Sequence, residues 1–325
     1  MAVIKPAVNI KEVAHKAHVS PSTVSRVVNA PDKVRAATRD RVLEIIDQMN
    51  YIPKTAVPSN SDIIVYMSDF RMPFPTEVLR FFTTYAEEKG YHVLAFDISS
   101  SKKSESTMFE YFKKSGFAGI VLTGLTGLKS ISADIPVVLL DTAFPLEGNV
   151  FSISSDNETT VRRLIDHLFR LNHKKIGFIS GGDSPIGEER TQVFFSYMKQ
   201  LGLTTDYIYH GDFSLQSGLA AFDYFYSLPE IPTAILASND EMAKGFIIRA
   251  NNMGINVPQD ISVCGIDALE NDYFVPRITS IHQDAESMAK ISLDYIINNK
   301  VKKFPPSKLL PVTFSPGNTC YKLQE

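Results

Sequence analysis

The sequence lacks most of the features that mark secreted, membrane-spanning or metal-binding proteins. Its 325 residues contain two cysteines and no tryptophan. Two thiols, Cys264 and Cys320, give neither a disulfide framework nor metal-ligand spacing, so we expect reduced thiols, no metal and no cofactor. No apolar run reaches the roughly eighteen residues of a membrane span, and the N-terminus has no long apolar stretch of a secretory signal. These absences favour a cytoplasmic globular protein.

Catalytic motifs are missing as well. The sequence has no Gly-x-Gly-x-x-Gly after a strand, no Walker loop and no Gly-x-Ser-x-Gly, and its seven histidines form no His-Glu-x-x-His pair. The Gly181-Gly182-Asp183-Ser184 loop suits a phosphate, but one glycine pair is weak evidence for a site. An enzyme is therefore not expected.

Two short helices separated by a tight turn are predicted near the N-terminus. Asn9 and Glu12 form a capping pair that opens the first helix, and Ser20 and Pro21 supply the N-cap and first position of the second. Both helices place apolar side chains on one face, at Ile10, Val13, Ala14 and Ala17 in the first and at Val24, Val27 and Val28 in the second. The opposite face of the second helix carries hydroxyls and a guanidinium, which suits a helix that reads the DNA major groove.

A third helix and a local excess of positive charge complete this region. Residues 38–49 place Val42, Ile45, Ile46 and Met49 on one face, which closes a small core. The net charge of the chain is −3, but residues 1–54 contain nine Lys and Arg against five acids, and the rest contains 24 against 31. Positive charge is thus concentrated where DNA phosphates would be met. The excess is modest, so we expect two copies on one duplex.

From about Ser61 onward, short β-rich apolar runs alternate with amphipathic helical patterns. We predict strands at 62–67, 93–96, 119–122, 137–140, 175–179, 234–237 and 261–266, and helices at 77–89, 104–115, 159–171, 190–201, 218–226 and 241–253. Strands that alternate with helices form parallel sheets covered on both faces. Two such series predict two α/β subdomains with a cleft between them.

Polar residues follow several of these strands, where open α/β sheets bind ligands. They are Ser68-Asp69, Asp141, Ser238-Asn239-Asp240 and Gly265-Ile266-Asp267, joined by Arg190 at the start of a predicted helix. Carboxylate, amide and guanidinium groups together satisfy hydroxyls, which both donate and accept. The alternative is capping, by Asn239 and Asp240 of the helix at Glu241 and by Asp267 of a turn. We favour capping for Asp240, and ligand binding for Arg190 and Asp267, because a charge in a crevice needs a partner.

Three stretches carry a resemblance to a known family. They are Asn9-Ile10-Lys11-Glu12-Val13-Ala14, the run from Val19 to Asn29, and Thr38-Arg39 followed by Met49-Asn50-Tyr51-Ile52-Pro53. In order and spacing they resemble the headpiece of the lactose/galactose repressor (LacI/GalR) family, and the resemblance continues through the body. A helix-turn-helix used only for packing is the alternative, which so many coinciding features disfavour. The resemblance implies an all-α helix-turn-helix headpiece and a periplasmic-binding-protein-like α/β body, with crossovers near Ser154 and Gln283.

The resemblance also implies an effector-responsive repressor that binds a pseudo-palindromic operator as a homodimer. Ser22 and Arg26 are expected to reach base edges, with Pro21 helping to set operator preference. Phosphate contacts are expected from Ser20, Thr23, Ser25, Asn29 and Lys5. For Thr23, packing within the helix-turn-helix is an equal alternative.

For the cleft, the resemblance implies a small-molecule effector. The family positions that line it correspond here to Asp141, Arg190, Asn239, Asp267 and Gln283, with a near wall of Ser68, Met72 and Phe74. A carbohydrate is the expected effector, ahead of a purine or nucleoside. Binding is expected to close the cleft and rotate paired N-terminal subdomains, which changes the distance between headpieces.

One departure from the family pattern concerns the hinge. After Pro53 the family continues with a hinge helix carrying an Ala-Arg-x-Leu-like run, whose leucine enters the minor groove and kinks the central base step. Here Val57 stands in place of the arginine, no leucine follows, and Pro58 disfavours a helix. We hypothesise that the hinge helix is absent or greatly shortened, with altered coupling between effector and DNA.

The predicted organisation has four parts. They are a headpiece at 1–53, a linker at 54–61, an N-terminal effector subdomain at 62–153 plus 284–310, and a C-terminal effector subdomain at 154–283 plus 311–325. A sugar-binding protein of a transport system would share the body, but the headpiece and the missing signal sequence argue against it. Control by a protein co-repressor, in place of or beside the small molecule, stays open.

Overall fold

The computed structural model describes residues 8–49, 51, 59–99, 102–124, 130–141, 146–269 and 273–324. The chain divides into two units, Met1–Ser61 and Asp62–Glu325. Among the described helices, none is long and apolar enough to cross a membrane.

The first unit is a headpiece with a core of its own. Its helices are α1 (Ile10–Lys16), α2 (Pro21–Asn29) and α3 (Ala36–Gln48). Asn9 and Glu12 form the expected capping box on α1, and Ser20 caps α2. The core consists of Val13, Ala14, Ala17, Val24, Val27, Val42 and Tyr51, none more than 8% exposed. These mostly small side chains allow close helix packing, and the predicted helix-turn-helix with a third helix is confirmed.

The second unit begins with a six-stranded parallel sheet. Its strands are β1 (Ile63–Ser68), β2 (His92–Asp97), β3 (Gly119–Thr123), β4 (Ile131–Leu140), β5 (Leu146–Ser155) and β11 (Ser307–Leu310), in the order β11-β5-β4-β3-β1-β2. Its helices are α4 (Pro73–Glu88), α5 (Lys102–Lys114) and α10 (Ala285–Asn298). Phe82 of α4 and Met288 of α10 pack on one face, while Phe109 and Phe112 of α5 pack on the other. Because both faces are covered, the central strands are almost wholly apolar.

A second parallel sheet forms the other subdomain. Its strands are β6 (Ile176–Ser180), β7 (Ile208–His210), β8 (Ala234–Ala237) and β9 (Ser262–Cys264), in the order β7-β6-β8-β9. Its helices are α6 (Asn157–Arg170), α7 (Pro185–Gln200), α8 (Leu215–Tyr226) and α9 (Asp240–Asn252). A short antiparallel pair, β10 (Ser280–His282) and β12 (Thr313–Ser315), completes it. The predicted fold class, two parallel-sheet α/β subdomains with a helix-turn-helix headpiece, is confirmed.

The chain passes between the two subdomains three times. The connections run from β5 to α6, from β10 to α10, and from β11 to β12. The first two fall close to the expected crossovers near Ser154 and Gln283. The first sheet is therefore not built from one continuous stretch of chain, because β11 returns to it, and the ends of both sheets face a common crevice.

Several predicted boundaries are wrong. Helix α7 begins at Pro185, five residues before Arg190, because Ser184 caps it through the Gly187 backbone N–H. Helix α8 begins at Leu215 instead of Gly218, because Ser214 caps it in the same way. Strand β5 was not predicted from the sequence, although it lies between β4 and β11 in the first sheet.

Candidate functional site

The N-terminal turn of α2 holds a network of three hydroxyls. Ser20 Oγ accepts a hydrogen bond from the Thr23 backbone N–H (3.1 Å) and lies 2.7 Å from Ser22 Oγ and 2.8 Å from Thr23 Oγ1. Ser20 is therefore the N-cap, as its position before Pro21 predicts. The same bonds orient the Ser22 and Thr23 side chains at the tip of the helix.

Most residues that the sequence predicts to contact DNA lie on this one helix and its cap. They are Ser20, Pro21, Ser22, Thr23, Ser25, Arg26 and Asn29. Asn29 Nδ2 donates to Ser25 Oγ (3.2 Å). The Arg26 side chain is exposed and has no ion-pair partner within the described part of the chain, so its guanidinium is available to a ligand.

Two of the sequence predictions for DNA binding concern residues outside the part of the chain that the structure describes. Lys5 lies outside the described residues, and so do Val57 and Pro58. The phosphate contact of Lys5 and the shortened hinge helix stay predictions.

Replacing Ser20 with alanine is expected to loosen the start of α2. Loss of the N-cap should cost about 1 kcal/mol of local stability, because the Thr23 backbone N–H loses its side-chain acceptor and keeps only the Ser20 carbonyl oxygen (2.9 Å). Hydrogen exchange of the full chain should then show about fivefold faster exchange of the first α2 amides. Ser20→Thr keeps a hydroxyl and should exchange at the wild-type rate. Equal protection in Ser20→Ala would contradict the capping role.

A cavity of about 300 Å³ lies at the carboxyl ends of both sheets. Six of the eight predicted effector residues line it: Met72, Phe74, Asp141, Arg190, Asn239 and Asp267. The other two, Ser68 and Gln283, are buried and do not line it. Because strand side chains alternate, Ser68 lies on the same face of β1 as Tyr66, which packs in the core. Gln283 is hydrogen-bonded to two residues that do line the cavity, Arg190 and Asp267.

Arg190 is the buried cation of this cleft, 2% exposed. Its Nε donates to Asn157 Oδ1 (2.9 Å), one Nη to the Ser238 carbonyl oxygen (2.5 Å) and the other to Gln283 Oε1 (3.3 Å). A guanidinium has five N–H groups, so two of them remain for a ligand. Helix α7 and these three acceptors fix the guanidinium in one orientation.

Two carboxylates from different subdomains line the cavity with Arg190. Asp141 follows β4 and its Oδ1 accepts from the Ser155 backbone N–H (3.0 Å), while Asp267 Oδ1 accepts from Gln283 Nε2 (2.7 Å). Both backbones are left-handed, with φ of 47° at Asp141 and 139° at Asp267. Such conformations cost energy in residues with a Cβ and cluster at functional sites. The crevice thus contains two carboxylates that are carried by strained backbone.

Burial raises the pKa of both carboxyl groups and so favours their neutral forms. It raises the pKa of Asp141 to about 6, although attraction by Arg190 acts in the opposite direction. Burial, and then repulsion by Asp240, raise the pKa of Asp267 well above its usual range, against attraction by Arg190. Perturbed acids in a cleft mark a candidate binding site when geometry agrees, as here.

Of the two neighbouring residues at the end of β8, Asn239 both lines the cavity and caps a helix, whereas Asp240 does not cap it. Asn239 is the N-cap of α9: its Oδ1 accepts from the Met242 backbone N–H (3.0 Å) and its Nδ2 donates to the Phe213 carbonyl oxygen (2.9 Å). Capping was predicted for Asp240, and that prediction is wrong. Asp240 is the first residue of α9, and its carboxylate accepts instead from the Ala268 backbone N–H and the Ser280 hydroxyl, both at 2.8 Å.

Sequence reasoning missed two contributors to the cleft. Asn157 orients Arg190 and donates through Nδ2 to Glu189 Oε2 (2.8 Å). Phe213 lines the cavity, and a Cβ at position 181 would lie 2.0 Å from its ring. Gly181, part of the loop considered above for a phosphate, therefore leaves the space that the Phe213 ring occupies. This glycine was the sequence signal from which a neighbouring aromatic ring could have been inferred.

Replacing Asp141 with asparagine is expected to stabilise the unliganded protein at neutral pH. The folded-state pKa of about 6 lies above the unfolded value, so ionisation of Asp141 is penalised in the folded state. This penalty is present above pH 6 and fades as the pH falls toward 4. Urea unfolding at pH 7.5 should show a gain of about 1–3 kcal/mol that shrinks at pH 5 and below. A less stable variant at pH 7.5 would contradict this account.

Sequence comparison identifies two matching families. The profile described as "Bacterial regulatory proteins, lacI family" matches residues 9–54, and that of the "Periplasmic binding protein-like domain" matches residues 165–320. These ranges contain α2 and most of the second subdomain, respectively.

Characterised relatives extend over most of the chain. The HTH-type transcriptional repressor CytR of Escherichia coli (strain K12) is 32% identical over 290 residues, 85% of either chain. The HTH-type transcriptional repressor PurR of Vibrio vulnificus (strain CMCP6) is 28% identical over 303 residues, 89% of this chain and 90% of its own. Both are repressors by name, in agreement with the expectation that the chain is not an enzyme.

A solved structure matches over nearly the full length. The lac repressor dimer bound to operator and the anti-inducer ONPF superposes with a TM-score of 0.77 at 25% identity, over 97% of this chain and 99% of its own. Headpiece and body are therefore both shared with that structure.

Proposed function

Because the chain belongs to the lacI family of bacterial regulatory proteins, we propose that it is a transcriptional repressor that binds a pseudo-palindromic operator as a homodimer and responds to a small molecule in the cleft. One observation carries the proposal: a single chain combines two sites. The first is helix α2, with hydroxyls at its start and the exposed guanidinium of Arg26. The second is a crevice lined by the buried guanidinium of Arg190 and by two carboxylates. The first feature suits base edges and phosphates. The second suits a polar ligand of modest size.

The cleft chemistry supports a hydroxyl-rich effector, and we propose a carbohydrate. The two remaining N–H groups of Arg190 donate, whereas the oxygens of Asp141 and Asp267 accept. A hydroxyl does both, so adjacent hydroxyls can bridge the three groups. The rings of Phe74 and Phe213 can cover the apolar face of a sugar ring.

The first sheet supplies a surface for the proposed dimer. Strand β2 is one of its two edges, and the apolar side chains of Leu94 on β2 and Tyr111 on α5 are 42% and 61% exposed. Burying these exposed apolar side chains against a partner is favourable, so we place the dimer contact at this edge. The lac repressor structure matched above is also a dimer on operator, which is consistent with one headpiece per half-site.

The coupling between ligand and DNA follows from the two-part body. We assign residues 62–153 with 284–310 to the subdomain that pairs in the dimer, and residues 154–283 with 311–325 to the other. Asp141 comes from the first and Arg190 with Asp267 from the second, so a ligand that bridges them binds the closed cleft more tightly than the open one. Closure then moves the paired subdomains and the headpieces that they carry.

A thermal-shift screen of the full chain tests this function. Monosaccharides, disaccharides, sugar phosphates, purines and nucleosides are added in turn, since a ligand that binds only the folded state raises Tm. Operator DNA is obtained by selection from a random duplex pool, and each stabilising compound is tested on that complex. We expect a hit that changes DNA affinity by about 5–150-fold. A hit without effect on DNA, or failure to select any duplex, would contradict the proposal.

A further inference from the structure

The charge of the effector cleft is strongly one-sided. Its described lining contains five aspartates, Asp69, Asp141, Asp183, Asp212 and Asp267, against the single guanidinium of Arg190, with no lysine or histidine among them. Burial raises the pKa of Asp141 and Asp267, and Asp69 is paired with Arg71, so the excess of negative charge rests mainly on Asp183 and Asp212. Although burial acts to raise it, hydrogen bonds from Ser214 lower the pKa of Asp212. That carboxylate therefore carries its charge at neutral pH.

Most of the nearby positive charge is already engaged by the protein. Arg190 gives three N–H groups to protein acceptors. Arg71 makes a bidentate ion pair with Asp69, with Nε 2.9 Å from Oδ1 and Nη2 2.6 Å from Oδ2, and its side chain is 72% exposed. Asp69 therefore neutralises Arg71, and Arg190, with two N–H groups left for a ligand, is one cation against the two negative charges of a phosphate dianion.

The helix end that lines the cavity offers few donors to an anion. Helix α7 begins with Pro185, which has no N–H, and the Gly187 N–H is taken by Ser184 Oγ at 3.1 Å. Asp183 lies immediately before this cap and is exposed at the rim. A carboxylate at this position opposes the attraction that a helix N-terminus exerts on phosphate.

The rest of the wall is apolar and flat. Pro73, Phe74 and Pro75 at the start of α4 face the cavity from one subdomain, and Phe213 with Ile186 from the other. Such walls cover the faces of a ring but solvate no charge. The cleft thus offers ring stacking and hydrogen-bond acceptors in excess of donors.

We propose that the cleft accepts an uncharged or cationic ring compound bearing hydroxyl or amino groups and excludes the phosphorylated or carboxylated form of the same compound. The inference rests on the proposed effector function and specifies its ligand class. The regulator then senses a compound before a phosphotransfer reaction consumes it, or after a hydrolase releases it. Asp183 is a specificity-determining residue of this site.

Calorimetric titration of the full chain with matched pairs tests the inference. The probes are glucose, galactose, ribose, glucosamine and adenosine, each paired with its own phosphomonoester. Where the unphosphorylated member binds, its ester should bind about 100-fold more weakly or worse, because like charges placed together cost several kcal/mol. Equal or tighter binding of an ester overturns the inference while sustaining the effector role. Binding of neither member of any pair overturns the effector role and the inference with it.

A single substitution separates charge exclusion from shape. Asp183→Asn should improve binding of the ester about tenfold, because one repulsive charge at the rim is removed. It should leave the unphosphorylated member within about threefold of wild type. Asp206→Asn removes an exposed carboxylate of the same subdomain that does not line the cavity, and should change neither. If the ratio of the affinity for the unphosphorylated compound to the affinity for its ester is the same in Asp183→Asn as in the wild type, the role of Asp183 is overturned.

Discussion

Arg190→Ala is expected to unfold about 3–5 kcal/mol more easily than the wild type and to lose measurable effector binding. The substitution leaves three buried acceptors without their donor: Asn157 Oδ1, the Ser238 carbonyl oxygen and Gln283 Oε1. It also removes the positive charge that offsets the burial of Asp141 and Asp267. Urea unfolding measures the first effect, and calorimetric titration with the effector measures the second.

Two further variants separate binding from folding. Arg190→Lys keeps a charge but cannot reach three acceptors in one plane, so it should lose effector affinity while recovering part of the stability. Arg162→Ala removes an arginine of the same subdomain that lies outside the cavity and pairs with Glu158 on α6. It should bind effector like the wild type. An Arg190→Ala protein with wild-type stability and affinity would disprove the role assigned to this side chain.

Arg26→Ala is expected to weaken operator binding and to relax specificity at one base pair of each half-site. The loss of one bidentate contact to guanine costs about 1–3 kcal/mol. A homodimer on a symmetric operator loses two such contacts, so the expected reduction is roughly 30-fold to 10⁴-fold. Fluorescence anisotropy against operators substituted at each position, at one fixed salt concentration, measures both effects.

The pattern across sequences distinguishes base reading from phosphate contact. Lys33→Ala removes an exposed headpiece charge outside α2, and any weakening it causes should be uniform across operator sequences. If Arg26→Ala weakens every sequence equally, Arg26 contacts the backbone instead. Effector binding of either variant should equal that of the wild type, which shows that the body remains folded.

The sequence was sufficient for features that depend on neighbours along the chain. The N-caps at Asn9 and Ser20, the valines of α2 and the alternation of strands and helices are local patterns, and each appears in the fold. The polar residues at strand ends were also readable, because the carboxyl ends of parallel strands share one edge. Asp141 and Asp267 were found in this way.

Features that depend on distant contacts were not readable. Asn157 meets Arg190 across 33 positions, and Asp240 meets Ser280 across 40. Strand β5 contains Gly148 and Asn149, which interrupt its apolar pattern, and only pairing with β4 and β11 makes it a strand. Phe213 has a left-handed φ of 66°, a conformation that no composition rule assigns to phenylalanine.

The late position of α10 and β11 in the chain sets the order in which a growing polypeptide becomes functional. Helix α10 covers the face of the first sheet that carries Phe151 and Ile153, and β11 pairs with the edge of β5. A nascent chain that has emerged only as far as β10 therefore exposes an apolar face and an unpaired strand, the conditions that promote aggregation. The headpiece core, in contrast, is complete at Tyr51. Premature termination before α10 should thus yield products that retain a folded DNA-reading unit but cannot close an effector cleft, and that depend on chaperones to remain dispersed.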